Sequence, residues 1–237
     1  GTNPNASYGE VYTDGIKLYV TDTANHRVLI WNTIPTVNNT PADVVVGQPN
    51  MTSNTANNGG ISASRLNGPR GVKVIGGKLY VSDSLNHRIL IWNTVPTTNG
   101  VAADVVLGQP NFTSNSVNNG GVSATSLYEP MYVNEYNGKL YVADYRNSRV
   151  KIYNTLPTTN NAAADIVLGQ PNFTSNTSNN GGISATSLGF TTEAKVINNK
   201  LFVSDLLNHR IKIYNTIPTT DNAPMDIVIG QPSLNTN

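Results

Sequence analysis

The chain of 237 residues contains no cysteine, so neither disulfides nor thiolate metal sites can hold it together. Burial of apolar surface has to do so. Charge is scarce as well: Asp, Glu, Lys and Arg make up 12% and the formal net charge is +1, leaving no basic excess to neutralise a row of phosphates. Nucleic acid is therefore not an expected partner. No apolar run approaches the ~18 residues of a membrane-spanning helix, so no membrane span is expected. The opening GTNPNAS reads neither as a secretory leader nor as an amphipathic targeting segment, and the chain as given is expected to be soluble. Also absent are a P-loop, HExxH, GxSxG and any zinc-ligand spacing, which leaves no sequence grounds for a catalytic residue, a metal site or a cofactor. The solvated surface must come from the Asn, Thr, Ser and Gly that recur throughout.

What the chain has in abundance is repetition. LYVTDTANHRVLIWN around Asp22 returns as LYVSDSLNHRILIWN around Asp83, LYVADYRNSRVKIYN around Asp144 and LFVSDLLNHRIKIYN around Asp205, at a fixed interval of 61 residues. Gly-Gln-Pro triplets at Gly47, Gly108, Gly169 and Gly230 keep the same interval, so the unit extends well beyond one strand pair. Repeated units share interfaces rather than folding separately, which makes residues 1–237 one domain of four units.

Within the second unit, GVKVIGG from Gly71 followed by Lys78 to Ser82 predicts two strands joined by a tight turn. Asp83 to His87 supplies turn chemistry, Arg88 to Trp92 resumes a strand, and Ala103 to Gly108 gives a fourth. Several strands are apolar at consecutive positions, such as Val105, Val106 and Leu107, which implies a sheet covered on both faces. Four-stranded sheets stacked around an axis meet that demand, so the predicted fold is an all-β propeller with blades near 8–49, 69–110, 130–171 and 191–232. A parallel solenoid is the competing repeat fold, and tight turns between successive strands fit it less well. The polar connectors carry Ile61 with Leu66, Val122 with Leu127 and Ile183 with Leu188, which predicts straps that dip between blades. Trp31, Trp92, Tyr153 and Tyr214 should lie between blades or at strand ends with the polar atom partnered.

The run Tyr80, Val81, Ser82, Asp83, then Asn86, His87 and Arg88, preceded by GPRGV from Gly68, resembles the NHL repeat, and all four units match its core, with Ser148 in place of histidine in the third. The resemblance covers almost the whole chain and implies a propeller blade. Its long loops and GQPNFTSN connectors resemble those of bacterial surface and secreted NHL-repeat proteins, whose propellers usually have more than four blades and shorter repeats. It points to a non-enzymatic extracellular or cell-surface module for binding or assembly, with a protein, peptide or glycan as ligand. Two alternatives stay open: a metal-dependent propeller enzyme of lactonase or lyase type, and a fragment of a longer propeller, natural or engineered. Four periods of 61 would take 244 residues, so the break falls within one connector, with Asn5 where the strap leucine is expected. A homodimer is expected if a ring of four does not close.

Residues constant across units are expected to serve the blade: Asp22, Asp83, Asp144 and Asp205 with Arg27, Arg88, Arg149 and Arg210 as turn or ion-pair networks, and His26, His87 and His209 as turn residues. Asp43, Asp104, Asp165 and Asp226 read as turn or rim features. Asn50, Asn111 and Asn172, like Asn5, Asn38 and Asn176, fit the N-glycosylation pattern, which an Asn- and Thr-rich chain matches by chance. Departures from the repeat are the better pointers to a ligand. Tyr128, Glu129, Met131, Tyr132, Glu135 and Tyr136 replace Asn67, Gly68, Arg70, Gly71, Val74 and Ile75 of the second unit, and Phe190 and Glu193 lie at the matching place in the fourth. Clustered Tyr and Glu offer apolar area with polar tips, and these eight are the candidate binding residues.

Overall fold

The computed structural model describes residues 9–236. Sixteen strands form four antiparallel sheets, each with its strands paired in chain order. Blade 1 holds β1 (Val11–Thr13), β2 (Leu18–Asp22), β3 (Arg27–Trp31) and β4 (Val44–Val46); blade 2 holds β5 (Pro69–Ile75), β6 (Lys78–Asp83), β7 (Arg88–Trp92) and β8 (Val105–Leu107). Blade 3 holds β9 (Pro130–Tyr136), β10 (Lys139–Asp144), β11 (Arg149–Tyr153) and β12 (Ile166–Leu168); blade 4 holds β13 (Ala194–Ile197), β14 (Lys200–Asp205), β15 (Arg210–Tyr214) and β16 (Ile227–Ile229). The fold is the expected all-β propeller of four blades, and antiparallel pairing within every sheet sets the solenoid aside.

Local chemistry explains the turns. Ile75 pairs with Lys78 across Gly76 and Gly77, whose φ of 56° and 78° make the two-residue turn that matches strand twist. Asn137 with Gly138, and Asn198 with Asn199, adopt positive φ at the same place. The second turn is a 3-10 turn, Ser84–Asn86 in blade 2, closed by His87 in the left-handed region at φ 55°. Its counterparts are His26, Ser148 and His209.

Three apolar clusters fill the junctions between successive blades. Leu79, Val81, Leu90 and Trp92 of blade 2 face blade 1, while Tyr80, Ile89, Ile91 and Leu107 face blade 3, so both faces of one sheet are buried and its strands read as unbroken apolar runs. Each strap drives its leucine into a junction: Leu66, Leu127 and Leu188 are fully buried, with Ile61, Val122 and Ile183 half-buried beside them. Glycine in the GQP triplet makes room, since a Cβ at Gly47 would lie 2.4 Å from Leu66 and one at Gly169 2.4 Å from Leu188. The indoles behave as expected, Trp92 Nε1 donating to Val101 O and Trp31 Nε1 to Thr40 O, both at 3.0 Å. Tyr153 and Tyr214 are buried between blades, but their hydroxyls, unlike the indole N–H groups, have no partner among the described residues.

No apolar cluster joins blade 4 to blade 1 among the described residues. On the outer face of blade 4, Ile211, Ile227 and Ile229 are 42%, 42% and 52% exposed, whereas their repeat counterparts Ile89, Val105 and Leu107 in blade 2 are 0%, 3% and 0%. On the outer face of blade 1, Val11 is 69% exposed where Val72 is fully buried. The propeller thus has an open junction. The expectation for Asn5 at that junction lies outside the described residues.

Candidate binding groove on the inner strands

The residues that every unit shares are occupied in holding blades and straps. Arg88 Nε donates to Asp83 Oδ2 at 2.7 Å with both side chains fully buried, and its remaining donors reach Phe112 O in the following strap and Ser62 O and Arg65 O in the preceding one. Asp83 in turn accepts from Asn67 N and Asn86 Nδ2. Arg149 with Asp144 and Arg210 with Asp205 repeat the arrangement, and Arg27 with Asp22 does so half-exposed in blade 1. A buried pair with both carboxylate oxygens and all three guanidinium nitrogens engaged fixes the strap's position, which is the structural role expected of it.

The histidines also work between blades. His26 Nδ1 accepts from Gly68 N at 3.0 Å and His87 Nδ1 from Glu129 N at 3.3 Å, each in the next blade. Ser148 Oγ substitutes by accepting from Phe190 N at 3.3 Å. Acceptance at Nδ1 requires a neutral ring, and burial pulls the pKa of both histidines below 6.5 against the opposing pull of Asp83 on His26 and of Glu129 on His87. Asp104 Oδ2 accepts from Asn93 N, pinning the rim loop, and Asn111 Oδ1 accepts from Thr113 N and Oγ1 and from Ser114 Oγ. The recurring NFT is therefore an Asx turn that starts the strap. No group of three or more His, Asp or Glu among the described residues could hold a metal ion.

The first strands β1, β5, β9 and β13 lie against neighbouring first strands and form the inner side of the propeller. Together they line a groove of about 400 Å³ that includes Tyr12, Lys73, Asn134, Glu135 and Lys195. At one register along these strands the four units carry Glu10, Gly71, Tyr132 and Glu193; two residues on they carry Tyr12, Lys73, Asn134 and Lys195. No residue is common to all four units at either position, although Glu recurs in units one and four and Lys in units two and four. Gly71 has its own reason, since a Cβ would meet Met131 O of the neighbouring β9 at 2.5 Å.

The groove side chains are tied to one another across blades. Glu10 accepts from Val72 N at 2.8 Å and from Lys73 Nζ at 3.2 Å, and Lys73 Nζ sits 4.7 Å from the centre of the Tyr12 ring. Tyr12 Oη donates to Val74 O at 3.2 Å, and Asn134 Nδ2 donates to Ala194 O at 3.1 Å and Glu193 Oε1 at 3.4 Å. Burial pushes the Glu10 carboxyl up from 4.5, opposed by Val72 N–H and Lys73, with Glu193 adding to the rise. Burial, then the charges of Glu10 and Glu193, raise the Tyr132 phenol above 10.

Of the eight residues expected to bind, Glu135 lines this groove, its Oε1 also accepting from Gly138 N at 2.7 Å, while Tyr132 on β9 and Glu193 just before β13 are outside its lining, Glu193 accepting from the groove residue Asn134. Tyr128, Glu129, Met131 and Phe190 gather instead at one mouth. There Glu129 meets Arg70 at 3.2 Å and Arg146 at 3.5 Å, Tyr128 packs edge-on to His87, and Phe190 packs on Tyr145 under Arg146. Tyr136 packs into the apolar cluster between blades 3 and 4. Sequence comparison missed Glu10, Tyr12, Lys73, Asn134 and Lys195. Aligning all four units on the inner strand, rather than the third against the second, would have shown them.

No family model matches the chain, and no curated protein does. Among solved structures it is similar to a protein from Bacteroides uniformis assigned as a 6-phosphogluconolactonase, at 13% identity and TM-score 0.51, over 93% of this chain and 56% of that one. It is also similar to the computationally designed Ika8 protein (8% identity, TM-score 0.48, 87% of this chain and 45% of that) and to hydrazine synthase of Kuenenia stuttgartiensis (8%, 0.49, 85% and 43%). The chain thus spans about half the length of the structures it matches. At 13% identity the first of these supports the fold alone.

Proposed function

We propose that the chain is a non-enzymatic propeller module for binding and assembly, working outside the cell or at its surface, which takes a glycan or short peptide in the groove of its inner strands. One observation carries this reading: the fold's own constants are consumed in strap and junction bonds, while the side chains the repeat does not copy converge on the groove. Tyr12 offers a stacking face, and Asn134, Glu135, Lys73 and Lys195 offer donors and acceptors of both signs. That mixture suits a neutral hydroxyl-rich or zwitterionic ligand better than a polyanion. The similarity of the repeat to NHL units, and a surface of Asn, Thr and Ser with little charge, support the same reading.

The test is a calorimetric titration with panels of soluble oligosaccharides and short peptides, repeated with Glu135→Ala and Lys195→Ala. A ligand whose affinity falls at least tenfold in both variants, with unfolding midpoints retained, supports the groove. A ligand bound equally well by wild type and both variants places recognition elsewhere and overturns the proposal.

A further inference from the structure

Each internal junction is sealed by a polar clasp as well as by apolar packing. The loop between the third and fourth strands of one blade caps the outer strand of the blade before it: Asn99 Oδ1 accepts from Val45 N at 2.9 Å and Gly100 N donates to Val45 O at 3.1 Å. Asn160 with Asn161 does the same for Val106 at 3.0 and 2.8 Å, and Asp221 with Asn222 for Val167 at 2.9 and 2.8 Å. The second member of each clasp is held at positive φ: 67° at Gly100, 55° at Asn161 and 52° at Asn222. An outer strand would otherwise present unpaired backbone groups to solvent.

Blade 1 carries the same clasp, which holds no outer strand among the described residues. Asn38 and Asn39 occupy the repeat positions of Asn99 and Gly100, both are exposed, and Asn39 already has φ 60°. At the other end, Val228 in β16 stands where Val45, Val106 and Val167 stand, and no clasp loop reaches it among the described residues. The apolar faces divide the same way. Internal junctions press a face like Tyr80, Ile89 and Leu107 against one like Leu140, Val142 and Tyr153. Blade 4 exposes the first kind at Ile211 and Ile229, and blade 1 leaves the second kind only partly covered at Leu18, Val20 and Leu29. Each end is half of one interface.

We propose that the occupant of these ends is a second copy of the chain, docked head to tail, with blade 1 of each copy on blade 4 of the other. The clasp and the two apolar halves are independent features that match in the same register. A head-to-tail contact makes either a ring or an open filament, and the blade count decides between them. Two copies of four blades give eight, within the usual range of about 4–8 for propellers, whereas three copies exceed it. The inner groove, open between β13 and β1, then becomes a channel lined by both copies. The proposal stands on the junction geometry and does not depend on the ligand reading, but a ligand in the groove would meet residues of both chains.

The experiment is light scattering on the full chain over a wide concentration range, with a tail variant, Ile211→Glu with Ile229→Glu, and a head variant, Val11→Glu with Asn38→Ala. All four positions are solvent-exposed, and unfolding midpoints verify that the variants fold. Wild type should reach twice 25.4 kDa, each variant alone should stay at 25.4 kDa, and mixing the two should restore association through the one junction left intact. A wild type that stays at 25.4 kDa throughout overturns the proposal. So do assemblies that keep growing with concentration, dissociation in only one variant, which would indicate a face-to-face dimer, or a mixture that remains monomeric.

Discussion

Lys151 lies fully buried between blades 2 and 3, at the repeat position filled by Leu29 and Leu90 in the first two units. Its ammonium donates to Ser126 O and, at 3.1 Å, to Ala124 O in the strap. Burial first, then the neighbouring Arg149, draw its pKa from 10.5 down to about 7, with Asp144 opposing. In the unfolded chain the same amine titrates near 10.5, so between pH 7 and 10.5 the unfolded state binds more protons and this group makes folding more favourable as pH rises. A gap of 3.5 pH units at about 1.36 kcal/mol for each sets the cost of burying the cation at roughly 5 kcal/mol below pH 7, with roughly 2 kcal/mol of it relieved by pH 9.

Leucine at this position removes that cost without orphaning the strap. Ser126 O still accepts from Arg149 Nη2 at 3.1 Å and Ala124 O from Ala164 N at 3.0 Å, and Leu90 shows that the side chain fits the equivalent site. Lys151→Leu should therefore stabilise the protein at pH 7 by about 2–4 kcal/mol, in line with other replacements of buried ions by apolar groups. Urea unfolding at pH 7, 8 and 9 measures it, and the advantage over wild type should shrink by about 2 kcal/mol across that range. A variant less stable than wild type at pH 7, or a difference that does not change with pH, would refute the reasoning.

Two further outcomes are expected. Tyr153→Phe removes a buried hydroxyl with no partner among the described residues and should raise stability by about 1 kcal/mol; a loss of that size by urea titration would mean the hydroxyl is bonded. Because burial holds His26 and His87 below 6.5, the stability their neutral rings support is complete above 6.5 and lost as pH falls through their folded pKa values. Thermal midpoints should drop as pH falls below 6.5, and the His26→Gln/His87→Gln double variant, which keeps an acceptor that does not titrate, should show a flatter profile; identical slopes would contradict the acceptor role of Nδ1.

The period of 61 made the blades legible because each strand, turn and strap leucine answers to the same packing demand four times. It made the buried Asp83–Arg88 pair legible as structural for the same reason, although its reach into two straps depends on carbonyls that the sequence does not mark. The groove was half legible. A pairwise comparison finds Glu135 as a novelty of one unit, but the position of Tyr12, Lys73, Asn134 and Lys195 holds three residue types in four units, and the second unit used as the baseline carries one of the lysines, so no departure stands out. A ring that does not close was legible as an alternative in the connector, but which side chains stay exposed was not, because Ile211 and Ile229 on an exposed face read like Ile89 and Leu107 on a buried one. That likeness carries physical content. An end blade that keeps the apolar face and the clasp of an inner blade retains the means to bind a neighbour, whereas capping repeats that end an array carry a polar outer face.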